Sequence, residues 1–154
     1  MEALLRDPDV LRFTRVPDPP PPGFARAWLD RYLAADGCAG FAAEDAEGRF
    51  LGLGVAPFID GEAGEIELGY ITAPEARGRG VAAALLARLT RWALEDAGAA
   101  RVTLLIDTEN PASERVAARC GYVREGVMRS VHLKQGRRIE QAMWSRLPSD
   151  PAMP

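Results

Sequence analysis

Two periodicities of apolar side chains run through the sequence, and together they predict a mixture of strands and helices. The clearest period of two covers residues 65–72, where the predicted strand has one apolar face and one face with carboxylates. The two faces are Ile66, Leu68 and Tyr70 on one side and Glu65, Glu67 and Gly69 on the other. A longer helical period follows directly, in a stretch rich in Ala, Leu and Arg that ends at Gly98.

The same criteria predict six strands and four helical segments. The predicted strands are Ala39–Glu44, Arg49–Phe58, Glu65–Thr72, Arg101–Asp107, Tyr122–Lys134 and Arg137–Leu147. The predicted helical segments are the tail of a helix in residues 1–7 stopped by Asp7-Pro8, then Gly23–Ala35, Gly80–Ala97 and a helix from Asn110 to Cys120. This order predicts an α+β fold, a mixed sheet with helices packed on it. We expect a single domain over residues 1–147 and a short tail over 148–154.

Composition and net charge narrow the classes of function that the chain can have. Hydrophobic residues make up 47% and charged residues 27% of the 154 residues, as in an ordinary globular protein. A formal charge of −3 argues against nucleic acid as a partner. No apolar run approaches the roughly 20 residues that span a bilayer, and the N-terminus lacks a signal-peptide pattern. We therefore expect a cytoplasmic protein with no membrane partner.

Cysteine and histidine give little support for a metal or redox site. Cys38 and Cys120 are far apart and have no His or Cys at metal-ligand spacing, so both are interpreted as packing residues and no metal is expected. The only histidine, His132, lies in a predicted strand near a turn. A catalytic role for it would require a second group to orient the ring.

The segment that indicates chemistry is the glycine-rich turn 77–82, with the sequence RGRGVA, at the start of the third helical segment. Backbone N–H groups at a helix start have no intrahelical acceptor, and the helix dipole favours an anion there. Gly78 and Gly80 let a ligand approach the backbone, and Arg77 and Arg79 add positive charge. The turn therefore predicts a phosphate-bearing ligand, although glycines between a strand and a helix can also serve only to make a tight turn. It matches neither the nucleotide-triphosphatase loop nor the dinucleotide fingerprint.

This turn resembles the Arg/Gln-x-x-Gly-x-Gly/Ala signature of the GNAT superfamily of acyl-CoA N-acyltransferases. Residues 106–129, IDTENPASERVAARCGYVREGVMR, are similar to the second half of that fold, in particular to the RimJ/RimL branch that acetylates ribosomal-protein N-termini. There an Asn and, three residues later, a Ser open the helix, as Asn110 and Ser113 do here. The ending QGRRIEQAMWSRLP also resembles the last strand of that branch.

The resemblance implies a mostly antiparallel mixed sheet flanked by helices, the acyl-CoA N-acyltransferase fold. One departure is at the start, since family members open with a strand and this chain begins inside the helix, at Met1-Glu2-Ala3-Leu4. If that first strand is missing, the sheet has an uncovered edge that favours pairing with another chain, and a homodimer is one way to cover it.

The resemblance also implies acetyl-CoA (coenzyme A) as cosubstrate and assigns residues to it. The strand 65–72 is expected to splay from the strand 101–107, so that the pantetheine arm lies between them and the pyrophosphate lies on the turn. The implied cofactor-binding residues are Tyr70, Ile71, Thr72, Arg77, Gly78, Arg79, Gly80, Val81, Ala82, Ala83, Asn110 and Ser113. Asn110 is also expected to cap its helix.

The implied reaction is direct attack of a primary amine on the thioester, with the acceptor either a small molecule or a protein N-terminus. Many family members use a Tyr in the second helix as acid, but that place holds Ala117, which leaves Ser113 as the implied acid. Ser113 could instead only satisfy backbone N–H groups of the first helical turn. Glu67 is the first choice as base, with Glu65, Asp107, Glu109 or a water relay as alternatives. The alternative function is a non-catalytic acyl-CoA-binding module on the same fold, because Ala117 removes the usual acid.

Overall fold

The computed structural model describes residues 1–34 and 37–152, which form a six-stranded sheet with helices on both faces. The strands are β1 Ala39–Glu44, β2 Phe50–Asp60, β3 Glu65–Thr72, β4 Arg101–Asp107, β5 Val123–Lys134 and β6 Arg137–Arg146. The helices are α1 Pro8–Phe13, α2 Phe24–Ala34, α3 Val81–Arg91 and α4 Pro111–Arg119. Short 3-10 turns cover Leu4–Arg6 and Pro74–Ala76, and a π-helical turn, Trp92–Asp96, extends α3.

The strand order is β1-β2-β3-β4-β6-β5, and every neighbouring pair is antiparallel except β3 and β4. These two strands are parallel and pair only at Glu65 with Arg101, Ile66 with Val102 and Glu67 with Thr103. Beyond Glu67 the strands separate and form a fork whose vertex lies at Glu67 and Thr103. The predicted α+β class, with a mixed, mostly antiparallel sheet, is confirmed.

The hydrophobic core lies between one face of the sheet and the helices α3 and α4. Ile66 and Leu68 of β3, Val102 and Leu104 of β4, and Leu86 of α3 are among its buried members. Because side chains alternate along a strand, Glu65 and Glu67 point to the opposite face, as predicted. That second face carries a smaller apolar cluster with residues of the N-terminal segment and α2 packed against Leu53.

The sequence analysis missed α1. It correctly ended the first helical segment at Asp7, where the 3-10 turn Leu4–Arg6 stops, but did not predict that a new helix starts there. Asp7 accepts hydrogen bonds from the N–H groups of Asp9 and Val10, both at 3.1 Å, and Pro8 occupies the first helical position. An Asp-Pro pair is thus a start signal as well as a stop signal.

Other boundaries agree with the predictions to within one or two residues. The bounds of β1, β3 and β4 are those predicted, and α2 begins at Phe24 and is described to Ala34, while Ala35 lies outside the described residues. The predicted helix Gly80–Ala97 is α3 followed by the π-helical turn, and Gly98 follows it with φ +70°. Among the described residues, no strand precedes β1.

Candidate active site

The fork between β3 and β4 leaves backbone groups unpaired in the middle of the sheet. From Gly69 to Thr72 the β3 strand pairs with β2 on its other side but no longer with β4. From Leu104 to Asp107 the β4 strand pairs with β6 alone. Each strand therefore directs backbone N–H and C=O groups toward the gap. These groups can hydrogen-bond to an amide-bearing ligand in the same way as they would to a neighbouring strand. Tyr70, Ile71 and Thr72, predicted to meet the cofactor, lie on this edge.

The turn before α3 presents open backbone to the ligand side. Gly80 is the N-cap with φ +79° and no side chain caps the helix, while Gly78 has φ +71°. A Cβ added to either glycine would have no heavy atom within 4 Å, so the space in front of this backbone is empty of protein. The N–H groups of Val81, Ala82 and Ala83 lie in the first turn of α3, where helical N–H groups lack intrahelical acceptors. This arrangement fits a pyrophosphate group.

Arg77, one of the two arginines of the turn, is held by the N-terminal helix. Its guanidinium donates to Asp9 Oδ2 at 2.9 Å and to Asp7 Oδ1 at 2.5 Å. Burial opposes ionisation of Asp7, but hydrogen bonds from Arg77 and from the Val10 N–H outweigh it and lower the pKa of the carboxyl. Arg79 is exposed and makes no ion pair within the described part of the chain. The two arginines therefore have different surroundings, and a direct contact of Arg77 with a ligand stays a prediction.

Asn110 and Ser113 lie where α4 begins, on the β4 side of the fork. Asn110 Oδ1 accepts a hydrogen bond from the Ser113 N–H at 3.1 Å, which confirms the predicted cap. The Ser113 hydroxyl is therefore not needed as the cap. Its Oγ lies 2.7 Å from the hydroxyl of Tyr70, which reaches across from β3.

Sequence reasoning missed the Tyr70 hydroxyl, since it gave Tyr70 only a backbone role. Burial raises the pKa of Tyr70 to about 12, although the hydrogen bond with Ser113 acts in the opposite direction. The phenol is therefore a neutral donor at physiological pH. A signal was available: Tyr70 follows Ile66 and Leu68 on the apolar face of β3, which is also the face that α4 covers. Ala117 of α4 is fully buried.

Glu67 lies at the vertex of the fork, on the sheet face opposite to Tyr70. It is partly buried and has no hydrogen-bond partner among the residues that the structure describes. Burial raises its pKa; nearby Arg15 lowers it and Glu65 raises it, with a net increase. A carboxylate that is partly desolvated and not neutralised by an ion pair has an increased proton affinity, as a general base requires.

The other three carboxylates proposed as bases already accept hydrogen bonds or form ion pairs within the protein. Glu65 accepts from Thr103 Oγ1 at 3.2 Å and lies 3.7 Å from Arg101 Nε. Glu109 pairs with Arg12 at 3.1 Å and with Arg137 at 3.0 Å. Asp107 is 8% exposed and accepts from the Glu109 N–H at 2.8 Å. Glu67 is therefore the most available of the four.

A cavity of about 260 Å³ opens at the end of β4, between α1 and the β5–β6 hairpin. Asp107, Lys134 and Ile139 are among its lining residues. His132 lies nearby on β5, and burial first, then Arg15 and Lys134, lower its pKa, so the ring is neutral at physiological pH. Within residues 1–34 and 37–152, no hydrogen bond orients this ring. Asp107 lies on the same face of the sheet as Glu67, and the cavity adjoins that face.

Neither a metal site nor a membrane-spanning helix is found among the described residues. No cluster of three or more His, Cys, Asp or Glu side chains could hold a metal ion there. Nor does any helix in that part of the chain have the length and apolar character needed to cross a membrane.

Comparisons with known proteins agree with this geometry. Residues 1–123 match an acetyltransferase (GNAT) domain family. A chimera of the Vibrio cholerae spermidine N-acetyltransferase SpeG and hSSAT superposes with a TM-score of 0.82 at 22% identity, covering 96% of this chain and 88% of that chain. The Vibrio cholerae spermidine N-acetyltransferase in complex with CoA and spermine gives 0.75 at 24% identity, covering 82% and 75% of the two chains. At these identities the likeness concerns the fold. A search of curated protein sequences returned no match.

Proposed function

Because the chain belongs to the GNAT acetyltransferase family and is an acetyl-CoA-dependent N-acetyltransferase, we propose that it acetylates a small primary amine by direct attack, with Glu67 as base and Ser113 as hydrogen-bond donor. The observation that carries this proposal is the fork. Glu67 at its vertex directs an available carboxylate to one sheet face, and Tyr70, three residues further along β3, carries the hydroxyl pair on the other face.

Cosubstrate binding uses backbone groups more than side chains in this proposal. The pyrophosphate takes the N–H groups from Gly78 to Ala83, where the backbone is open and the helix dipole is favourable. The pantetheine arm takes the unpaired edge of β3 at Tyr70, Ile71 and Thr72. Asn110, whose oxygen caps α4, keeps two N–H donors on its side-chain amide for the same ligand.

The acceptor must lose a proton to become a nucleophile. Alkyl amines have pKa values of about 10 and α-amino groups about 8, so most of the acceptor arrives protonated at pH 7. Glu67, with its raised pKa and no ion pair among the described residues, accepts that proton directly or through a water. Ser113, in the first turn of α4, donates a hydrogen bond that stabilises the negative charge developing on the departing sulfur.

A small cationic amine is the acceptor class that the surroundings favour. Glu67 has no ion pair among the described residues and shares a sheet face with the buried Asp107, so these two carboxylates can pair with an ammonium group, whereas Arg12, Lys134 and Arg137 give the cavity beside them basic groups as well. The structurally similar spermidine N-acetyltransferases act on amines of this kind. A protein N-terminus, the acceptor of the RimJ/RimL branch that residues 106–129 resemble, is the other candidate.

An amine panel tests the proposal. The purified chain is incubated with acetyl-CoA and one of four amines, namely a polyamine, an amino acid, an aminoglycoside or a short peptide with a free N-terminus, while free thiol is followed. We expect amine-dependent thiol release, largest with the polyamine, and an acetylated product by mass spectrometry. Turnover of the peptide alone would favour the protein N-terminus. Tight acetyl-CoA binding without turnover of any amine would contradict the proposal and favour the binding module.

A further inference from the structure

We propose that Tyr70 is a positioning residue for Ser113: its hydroxyl donates to Ser113 Oγ and thereby directs the hydrogen of the serine toward the departing sulfur. This inference rests on the proposed function. It assigns a second hydroxyl to the site, one that comes from β3, whereas Ser113 belongs to α4 on the other side of the fork.

The direction of the hydrogen bond follows from what each hydroxyl can reach. The Tyr70 oxygen lies 2.7 Å from Ser113 Oγ and 3.4 Å from the Ser113 carbonyl oxygen. A largely buried phenol needs an acceptor for its hydrogen, and the closer oxygen is much the better one. Ser113 Oγ then accepts from Tyr70, and the single hydrogen of Ser113 remains for a third group.

A second pair of hydroxyls, between Tyr122 and Thr90, shows the arrangement when a protein carbonyl accepts the remaining hydrogen. Tyr122 and Thr90 Oγ1 are also 2.7 Å apart, but they lie in the core. There Thr90 donates its hydrogen to the Leu86 carbonyl at 2.8 Å, so Tyr122 must be the donor to Thr90. At Ser113 the described residues offer the hydroxyl no such carbonyl. The same arrangement therefore leaves an unused donor, and it lies beside the fork.

The pair acts by hydrogen bonding and not by giving up a proton. Burial raises the pKa of Tyr70 to about 12, whereas an ordinary thiol has a pKa of about 8.5, so proton transfer from Tyr70 to the thiolate would be unfavourable. In the reaction the amine nitrogen forms a bond to the acetyl carbon, the carbon–sulfur bond breaks, and its electron pair stays on sulfur. Glu67 passes the proton of the ammonium form to solvent and then takes the second proton, which the nitrogen loses as the amide forms. Ser113 donates a hydrogen bond to the thiolate, and neither hydroxyl is deprotonated.

The test is a double-mutant cycle of Tyr70→Phe and Ser113→Ala, with Tyr122→Phe as the matched control. Each variant is assayed with the amine that the wild type uses best, and its affinity for acetyl-CoA is measured by calorimetry. We expect Tyr70→Phe to lower kcat about tenfold with KM and Kd for acetyl-CoA within about twofold, because the lost interaction belongs to the transition state. The double variant should be no slower than Ser113→Ala alone, since the tyrosine acts only through the serine.

The control separates positioning from stability. Tyr122→Phe removes an equivalent hydroxyl from the core, so it should lower Tm by a few degrees and leave kcat unchanged. Tyr70→Phe keeps the ring and its packing, so circular dichroism should be unchanged. Wild-type kcat in Tyr70→Phe, or losses that multiply in the double variant, would overturn the inference while leaving acetyl transfer intact. Tighter acetyl-CoA binding by Tyr70→Phe would also overturn it, because the pair would then be an obstacle to the ligand. A wild type that turns over no amine would overturn both the inference and the proposed function.

Discussion

Arg77 Nη1 donates to Asp9 Oδ2 at 2.9 Å, and this pair joins the turn before α3 to the first helix of the chain. At the other end of the same helix, Arg12 pairs with Glu109 at 3.1 Å, just after β4. The short helix α1 therefore spans the open end of the fork, with one ion pair near each arm. Both sets of contacts involve exposed side chains, so salt screens them.

The first prediction concerns this connection. Asp9→Asn removes a negative charge next to the turn and releases one branch of Arg77, so affinity for acetyl-CoA should rise about twofold at low salt. The gain should vanish in about 0.5 M salt, where the Debye length is only a few Å. Asp30→Asn breaks the exposed pair with Arg26 on α2 and serves as the control, with no change in affinity expected. Titration calorimetry at two salt concentrations measures the effect, and a salt-independent change would contradict it.

The second prediction separates the ligand role of Gly80 from its conformational role. Gly80 and Gly98 have φ +79° and +70°, and a Cβ added to either would meet no atom within 4 Å. Gly80→Ala and Gly98→Ala should therefore both lower the free energy of unfolding by about 1 kcal/mol, the cost of a left-handed alanine. Only Gly80→Ala should weaken acetyl-CoA binding, by about tenfold, because its new methyl group occupies the space before the N–H groups of α3.

Thermal shifts with and without millimolar acetyl-CoA check this pair of variants. Ligand at about a hundred times its dissociation constant stabilises the folded state by about 2.7 kcal/mol, so the wild type and Gly98→Ala should show a clear shift. Equal shifts in both variants would mean that the glycine only makes the turn.

The third prediction concerns Glu67, whose pKa burial raises. A carboxyl with a raised folded-state pKa favours folding below its unfolded pKa and opposes folding as pH increases through the folded value. Glu67→Gln should therefore increase Tm at pH 7 and also lower kcat/KM and flatten its acidic limb, because the base is gone. Denaturation and pH–rate profiles measure the two effects. A variant that is less stable at pH 7, or as active as the wild type at every pH, would contradict this assignment.

The fourth prediction is acid instability through Glu125. Arg101 donates to both oxygens of Glu125 at 2.8 and 2.7 Å, and Ser145 donates at 2.6 Å. These bonds hold the pKa of Glu125 at about 2, with Arg101 the largest cause. The stabilisation is complete above the unfolded pKa of about 4.3 and is lost as pH falls toward the folded value.

Glu125→Gln should therefore be less stable than the wild type at pH 7, with the difference shrinking between about pH 4 and pH 2. Urea unfolding at several pH values measures it. Glu62→Gln, in an exposed turn and without a salt bridge to its carboxylate in the described structure, should show no such change. A constant difference from pH 7 to pH 2 would rule out this carboxylate as the source.

The sequence predicts the strands well because their signals are local. The alternation of residues 65–72 sets the bounds of β3 and the facing of Glu67, and Asn110 before Pro111 sets the start of α4. α1 was missed because six residues carry too little periodicity, although Asp7 has the chemistry of a cap. Local signals thus fix where elements begin and end, provided the element is long enough.

Contacts between distant segments were not predictable in the same way. Nothing in RGRG indicates that Arg77 is held by Asp7 and Asp9, nearly seventy positions earlier. The Tyr70–Ser113 bond spans 43 positions and depends on how far β3 and β4 separate, which no local pattern encodes. The residue types of the site were therefore foreseeable, but the pairing of their side chains was not.

The short parallel pairing also bears on how the domain holds together. Only three residue pairs hydrogen-bond β3 to β4, so the sheet is two ribbons, β1–β2–β3 and β4–β6–β5, joined at a narrow seam. Besides the seam, the two ribbons share one hydrophobic cluster, which contains Leu68 of one ribbon, Leu104 of the other and Leu86 of α3. This helix also begins at the turn proposed for the pyrophosphate. Hydrogen exchange of the seam amides should therefore slow when acetyl-CoA is bound. The ligand would bridge the two ribbons in the fork, where no backbone hydrogen bonds join β3 to β4.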